Sequence, residues 1–373
     1  MPPLAINDLS RHFDPLQDEL SDAVQRVLKR GWFVLGPEVK AFEGEFCQTS
    51  GTSHVVTVAN GTDSLEIGLR ALGVGPGDHV ATVANAGAYS TVAIRSIGAF
   101  PAYVDIDPNR LTMAPAALEE TLSGCSAKAV VITHLYGRMA DMPALLDIAR
   151  RHGVPVMEDC AQSHGARLDG KLAGSWADAS SFSFYPTKNL GALGDGGAIA
   201  TSRPEVAEAA RELRQYGWST KYRSTRSGGR NSRLDEIQAA LLRVMLPKLE
   251  SWNERRRSIG RLYEKHLAGT NLLVPRLQDK ADVVHLYVIR PRNRATIKQA
   301  LTQHGIGSDV HYPFPDYAQE GFQVSPKPAL AATEAACSTL LTLPCFPEMT
   351  DAEVMEVAAV VRSATVNESR MAA

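Results

Sequence analysis

The chain has 373 residues, with 39 Lys and Arg against 41 Asp and Glu for a formal net charge of -2, which excludes the electrostatic footprint of a nucleic-acid or anionic-membrane binder. Hydrophobic residues make up 44% and charged residues 21%, so the chain can bury a substantial core and is neither disordered nor of low complexity. Five scattered cysteines, Cys47, Cys125, Cys160, Cys337 and Cys345, form no C-x-x-C pair, and no apolar run approaches the roughly 20 residues of a membrane span; a soluble, cytoplasmic protein without a metal or disulfide framework is expected.

In chain order, Leu16, Leu20, Val24, Val27 and Leu28 recur at helical spacing and stop at Gly31, predicting an amphipathic helix. From residue 54 short apolar runs alternate with helical ones. Residues 54–59, 80–84, 102–106, 129–134, 154–159, 180–184 and 198–201 read as strands. Leu65, Leu69 and Leu72 predict a helix after the first strand, and Asp141 with Pro143 opens another that Gly153 closes. Strands that are apolar throughout and separated by helices imply a mostly parallel, seven-stranded sheet sandwiched by helices, an α/β fold. A long helix is predicted from Ser232 through a kink at Pro247 to Gly269. Beyond it come a strand at 283–289, a helix at 294–304, a last helix opened by the capping box Thr350-x-x-Glu353, and a frayed tail from Asn367. These patterns divide the chain into a large α/β domain, residues 1–250, and a smaller C-terminal α+β domain, residues 251–373.

Three stretches place polar groups at strand ends, where open α/β sheets hold their ligands. Asn60-Gly61-Thr62-Asp63-Ser64 opens a helix and reads either as a plain N-cap or as a phosphate cradle. Glu158-Asp159-Cys160-Ala161-Gln162-Ser163-His164 begins where an apolar strand stops, so Asp159 can fix a cationic ring nitrogen or merely cap the next turn. Cys160 reads as a small buried residue rather than a nucleophile. In the third stretch Lys188 follows the strand that contains Ser183, amid hydroxyl residues and before Gly191, Gly194, Gly196 and Gly197. That is an odd place for a solvated charge, and a Schiff-base lysine is the sharp reading. The glycines fit neither a dinucleotide fingerprint nor a P-loop, and the ten histidines show no zinc-helix pairing.

NGTDSL, EDCAQSHGA, SFSFYPTKNLGALGDGGA, GRNSRLDEIQAA and HYPFP, in this order from about residue 15 to 360, resemble the DegT-type (DegT/StrS) family of pyridoxal-phosphate-dependent nucleotide-sugar aminotransferases. The resemblance implies a fold-type I aminotransferase homodimer with active sites shared between subunits. Lys188 would carry the pyridoxal 5'-phosphate and shuttle the proton, Asp159 would keep the pyridine nitrogen protonated, and Gln162 would contact the side of the ring bearing the phenolic oxygen. Gly61, Thr62, Asp63 and Ser183 would hold the phosphate, with Asn231 reaching it from the partner subunit. Many relatives carry their ring-stacking aromatic in a T-[FY]-x-A segment; this chain has Asn85-Ala86-Gly87-Ala88-Tyr89 instead, and Tyr89 is the stacking candidate, a core tyrosine being the alternative.

The same resemblance implies amino transfer from an amino acid, L-glutamate in most relatives, to a keto sugar linked to a nucleoside diphosphate. Tyr185-Pro-Thr-Lys188-Asn-Leu-Gly191 looks like members that aminate carbon 3; those acting on 4-keto sugars more often have histidine where Tyr185 stands. His311, Tyr312 and Phe314 would line the sugar side, with His164 behind them and one arginine of the run Arg223, Arg226, Arg230 and Arg233 near the nucleotide phosphates. Besides a 4-keto-sugar enzyme, the alternatives are a relative that works without a Schiff-base lysine, which Lys188 argues against, and a cofactor-binding regulator.

Overall fold

The seven apolar runs lie in one sheet of the computed structural model, which describes residues 3–324 and 327–371. They are β1 (His54–Val58), β2 (His79–Val83), β3 (Phe100–Val104), β4 (Ala127–Thr133) and β5 (Val156–Asp159) and, after the small hairpin of β6 (Arg167–Leu168) and β7 (Lys171–Leu172), β8 (Ala179–Ser183) and β9 (Gly197–Thr201). Their spatial order is β1-β9-β8-β5-β4-β2-β3. The strands from β8 to β3 pair in parallel, whereas β9 runs antiparallel to both neighbours. An antiparallel return needs no crossover helix, so residues 184–196, which include Lys188, stay beyond the carboxyl end of β8 as a loop.

Alternation along the strands shows why both faces are covered. On β4, Val130 and Ile132 pack into one apolar cluster, with Leu20 and Val27 of helix Gln17–Arg30 and Val39, Phe42 and Phe46 of helix Pro37–Ser50; Ala129 and Val131 pack into another, with Leu65 and Leu69 of helix Gly61–Ala71. Each such side chain, fully buried, contributes about 1.5–3 kcal/mol. Helix Gln17–Arg30 stops where the sequence predicts, at Gly31 with φ 67, a left-handed conformation that favours glycine.

A separate apolar cluster forms on the far side of helix Leu249–Leu267, whose Ile259, Tyr263 and Leu267 meet Ile297 and Leu301 of helix Arg294–Gln303 and Val354, Val357 and Val361 of helix Asp351–Met371. After a hairpin of β10 (Trp218–Thr220) and β11 (Arg223–Ser224), the chain adds to this cluster the antiparallel pair β12 (Tyr287–Ile289) and β13 (Leu341–Leu343). The first residues of the chain join it too: Leu4 donates its N–H to the Gly305 carbonyl at 2.9 Å and accepts from the Gly307 N–H at 2.8 Å. The capping box closes as expected, with Thr350 N–H donating to Glu353 Oε2 at 2.7 Å and Glu353 N–H to Thr350 Oγ1 at 3.2 Å.

Several expectations change. The long helix is two, Glu236–Met245 and Leu249–Leu267, joined by a 3-10 turn at Leu246–Lys248, because Pro247 has no N–H for the helical ladder. It starts after Asp235 rather than at Ser232, whose hydroxyl accepts from the Ala59 N–H while its own N–H bonds Arg214. The strand expected at 283–289 shortens to β12, since Val283 bonds Gly137 and Val284 takes a left-handed φ of 47. The expected tail is helical through Met371; residues 372–373 lie outside the described residues. No described helix is long and apolar enough to cross a membrane.

Candidate active site

Six strands of the sheet share one direction, and a cleft of about 890 Å³ opens at their carboxyl ends. Residues 60–63 follow β1, Tyr89 follows β2, Thr133 ends β4, Asp159 and Gln162 sit at and after β5, and Ser183, Tyr185 and Lys188 sit at and after β8; all line this cleft, joined by His311 and Tyr312. This is the placement expected for ligands of an open α/β sheet.

The main chain at Lys188 is held firmly. Its N–H donates to the Tyr185 carbonyl at 2.8 Å, and the neighbouring Asn189 amide donates to Asn253 Oδ1 at 2.8 Å and to the Val283 carbonyl at 3.0 Å. Asn189 Oδ1 lies 3.0 Å from His285 Nδ1, so the loop is tied to the long helix Leu249–Leu267 and to residues 283–285. The ammonium itself has no ion-pair partner within 4 Å among the described residues. Burial pushes its pKa down to about 8, against the pull of Asp159, so a free amine is accessible near neutral pH.

Asp159 is buried at the end of β5 with acceptor capacity to spare. It takes the Ala161 N–H at 3.1 Å and only distant contacts, both 3.4 Å, from the hydroxyls of Thr133 and Ser181, where a carboxylate can accept about four bonds. Burial raises its pKa, with the Ala161 N–H and Lys188 opposing. A protonated ring nitrogen would complete it. Gln162 is fixed by accepting from the Tyr136 N–H at 2.6 Å and donating to Tyr312 Oη at 3.3 Å.

On the other side, Asn60 caps helix Gly61–Ala71 by accepting from the Asp63 N–H at 2.8 Å. The N–H groups of Gly61 and Thr62 have no partner among the described residues and sit at the positive end of the helix. Gly61 lies so close to Ser183 that an added Cβ would come within 2.6 Å of the serine Cβ. The capping and phosphate-cradle readings of this stretch are therefore compatible: one N–H is used by the cap and two are left for an anion. Together with Lys188 and Asp159, these groups fit pyridoxal phosphate: a helix end for the phosphate, a carboxylate for the ring nitrogen and an amine for the aldehyde.

Other sequence candidates fall into place unevenly. Asp63 lines the cleft, but its Oδ1 accepts from Arg230 at 2.7 Å, and Arg230 also reaches Glu66 at 2.8 Å; both charges are thus paired within the chain. Tyr89 is no core residue: it begins helix Tyr89–Ile97, is 48% exposed, and meets Tyr312 edge to face at 6.0 Å. Tyr185 is exposed at the rim, and His311 holds Thr342 Oγ1 at 3.0 Å through Nδ1. Phe314 is not brought to the cleft. It is 61% exposed, because Pro313 and Pro315 flank it and the chain then dives to bond Asp316 N–H to the Ala84 carbonyl. Asn231 also lies away from the cleft of its own chain, exposed and bridged to Gln215. His164 sits buried beside the rings of Phe182 and Phe184, and burial pushes it to about 3, which keeps it neutral. Cys160 is buried with its thiol pushed well up.

Sequence reasoning missed Thr133, Asp195, His285 and Asp309, all of which line the cleft. Thr133 was signalled by its place at the end of an apolar strand, and His285 by being the lone polar residue in the run 283–289. The buried trio His134, Glu158 and Cys160 could be mistaken for a metal site. Glu158 is instead saturated by the N–H groups of Gly174, Trp176 and Ala177 at 2.9, 2.7 and 3.1 Å and by His134 Nε2 at 3.0 Å.

Comparison with known proteins agrees with this geometry. The DegT/DnrJ/EryC1/StrS aminotransferase family profile matches residues 15–362. A UDP-N-acetyl-3-dehydro-alpha-D-glucosamine 3-aminotransferase of Acidithiobacillus ferrooxidans is 38% identical over 95% of this chain and 96% of its own. A dTDP-3-amino-3,4,6-trideoxy-alpha-D-glucose transaminase of Streptomyces venezuelae is 39% identical over 95% and 94%. The crystal structure of S. venezuelae DesV in complex with a ketimine intermediate superposes with a TM-score of 0.94 at 38% identity, covering 97% of this chain and 98% of that one. The chain therefore belongs to the DegT/DnrJ/EryC1/StrS aminotransferase family and has its fold, that of a fold-type I aminotransferase.

Proposed function

We propose that the protein is a pyridoxal-phosphate-dependent aminotransferase that moves an amino group from L-glutamate to carbon 3 of a keto sugar carried on a nucleoside diphosphate. The observation that carries this reading is the pairing in one cleft of Lys188, its ammonium destabilised by burial, with Asp159, a buried carboxylate short of donors. Bound pyridoxal phosphate supplies a ring that draws electrons from the substrate carbon as it loses its proton. Gly61, Thr62 and Ser183 bind the phosphate and Asp159 holds the proton on the ring nitrogen. Gln162 and Tyr89, which line the same cleft, would orient the ring. Lys188 would take the proton from the substrate carbon in one half-reaction and return it in the other. Carbon 3 is favoured over carbon 4 by Tyr185 and by the named activities of the two relatives, both of which concern 3-amino sugars.

The reading includes a cytoplasmic homodimer, and the charge of the cleft supports the second subunit. Among the residues lining the cleft, Lys188 is the only lysine or arginine, against Asp63, Asp159, Asp195 and Asp309. A diphosphate and a dicarboxylic amino acid both need cations, and Arg223 and Arg226 lie in the exposed stretch 221–228 and do not line the cleft of their own chain. Asn231 and these arginines would serve the partner's site.

The test is the absorption spectrum of the protein with pyridoxal phosphate, before and after glutamate, with Lys188→Ala alongside. The wild type is expected to show a visible band that glutamate bleaches and that the variant lacks; a wild type without such a band overturns the catalytic reading. Product analysis with 3-keto and 4-keto sugar nucleotides then decides the carbon, and amination of the 4-keto sugars alone would replace the first assignment with the second.

A further inference from the structure

Two walls of the cleft come from segments far apart in sequence, residues 86–89 and residues 311–312, and one buried side chain joins them. Asp316 is 1% exposed. Its Oδ1 accepts from the Ala88 N–H at 3.0 Å, its Oδ2 accepts from the Thr91 hydroxyl at 2.6 Å, and its own N–H donates to the Ala84 carbonyl at 2.8 Å. Helix Tyr89–Ile97 has no cap of its own: Ala88 at the N-cap offers no side-chain acceptor and sits at φ 64. Asp316 instead holds this helix start from another part of the fold, taking the N–H of the residue before the helix and the side chain of its third residue, with its carboxyl at the favourable end of the helix.

The consequence is felt at two tyrosines. Tyr89 is the residue after Ala88, and Tyr312 precedes Asp316 by one short turn of chain. Gly87, at φ 77, approaches the Tyr312 ring so closely that a Cβ would lie 2.8 Å from it, and the two tyrosine rings meet edge to face. Tyr312 in turn accepts from Gln162, so a displacement of either segment moves three residues of the cleft. Burial pushes the Asp316 carboxyl up to about 7 while Thr91 and Ala88 favour its charged form; an acid kept in such surroundings is costly unless its bonds are needed.

We propose that Asp316 is a positioning residue for the cofactor pocket, holding Ala84, Ala88 and Thr91 so that Tyr89 and Tyr312 stand at the right separation beside Lys188. The proposal rests on the pyridoxal-phosphate reading above and extends it to a residue that lies outside the cleft.

The test titrates the apoproteins of wild type, Asp316→Ala, Asp316→Asn and Thr91→Val with pyridoxal phosphate. It records the Kd, the visible circular dichroism of the bound cofactor and the thermal midpoint. Asparagine can accept from Ala88 and donate to Thr91, so Asp316→Asn is expected to stay within about two-fold of wild type in Kd and to keep the dichroic band. Asp316→Ala is expected to bind about ten-fold more weakly and to lose most of the band, which reports ring orientation, and Thr91→Val, which loses the bond to Asp316 and a contact with Tyr103 Oη, about three-fold more weakly. An Asp316→Ala protein with wild-type Kd and dichroism, however much less heat-stable, overturns the proposal. If that variant does not fold, wild-type values for Thr91→Val overturn it instead. A wild type that fails to take up the cofactor sinks the functional reading and this one with it, whereas normal uptake with an indifferent Asp316→Ala sinks this one alone.

Discussion

A lysine amine reacts only when unprotonated, and at a pKa of about 8 about one Lys188 in ten is in that form at pH 7. Covalent uptake of pyridoxal phosphate by the apoprotein should therefore accelerate with pH through about 8 and level off above it, as read by borohydride trapping and mass spectrometry. Because Asp159 raises the Lys188 pKa, Asp159→Asn should move the inflection lower. An inflection near 10.5 would mean that the ammonium is not desolvated. Lys188, Asp159 and Ser183 could be picked out from sequence because each stands where an apolar strand stops, and a polar group there has little to do in the core. His285 gave a weaker signal: it is a polar residue within a run that reads as a continuous strand, and the left-handed φ at Val284 that breaks this strand just before it has no local sequence signature. Phe314 illustrates the opposite failure, since its neighbours His311 and Tyr312 line the cleft while two prolines carry it out to solvent.

At the scale of elements, the site depends on how the strand ends are held, and Glu158 is the hub. Its two oxygens gather the N–H groups of Gly174, Trp176 and Ala177 and the His134 ring, fixing the turn before β8 against the end of β5, next to Asp159. Glu158→Gln replaces one acceptor oxygen with an NH₂ that faces N–H donors, so it should destabilise the fold by about 3–5 kcal/mol, measured by urea unfolding. A loss under about 1 kcal/mol would show that the turn re-forms without the carboxylate. The strands that carry the site were legible because apolar runs bounded by turns need only local composition to be seen. What joins them was less so. That β9 returns antiparallel beside β8, leaving Lys188 on a loop, depends on pairing partners that no local pattern encodes, and the break at Leu246–Lys248 depends on how much of the ladder one proline removes. The first residues of the chain gave no signal of their contact with residues 305–307, since a two-bond bridge needs no periodicity.

At the scale of the whole molecule, the cleft of one chain is poor in positive charge. It is lined by one lysine and no arginine, and neither Asn231 nor Arg223, Arg226, Arg230 and Arg233 line it. If a second copy completes the site, lesions in Lys188 and in Asn231 fall on different chains of one site, and mixing can separate them. Lys188→Ala and Asn231→Ala should each be nearly inactive alone. After unfolding and refolding together in equal amounts, random pairing puts half of the protein in mixed dimers, each with one intact site, so activity should return to about a quarter of wild type. Recovery near zero, with dimers verified by light scattering, would place Asn231 in the site of its own chain and require its side chain to turn into the cleft that it does not line. A quarter recovered would make the dimer the catalytic unit, and the exposed arginines would then be the first residues to test for the diphosphate.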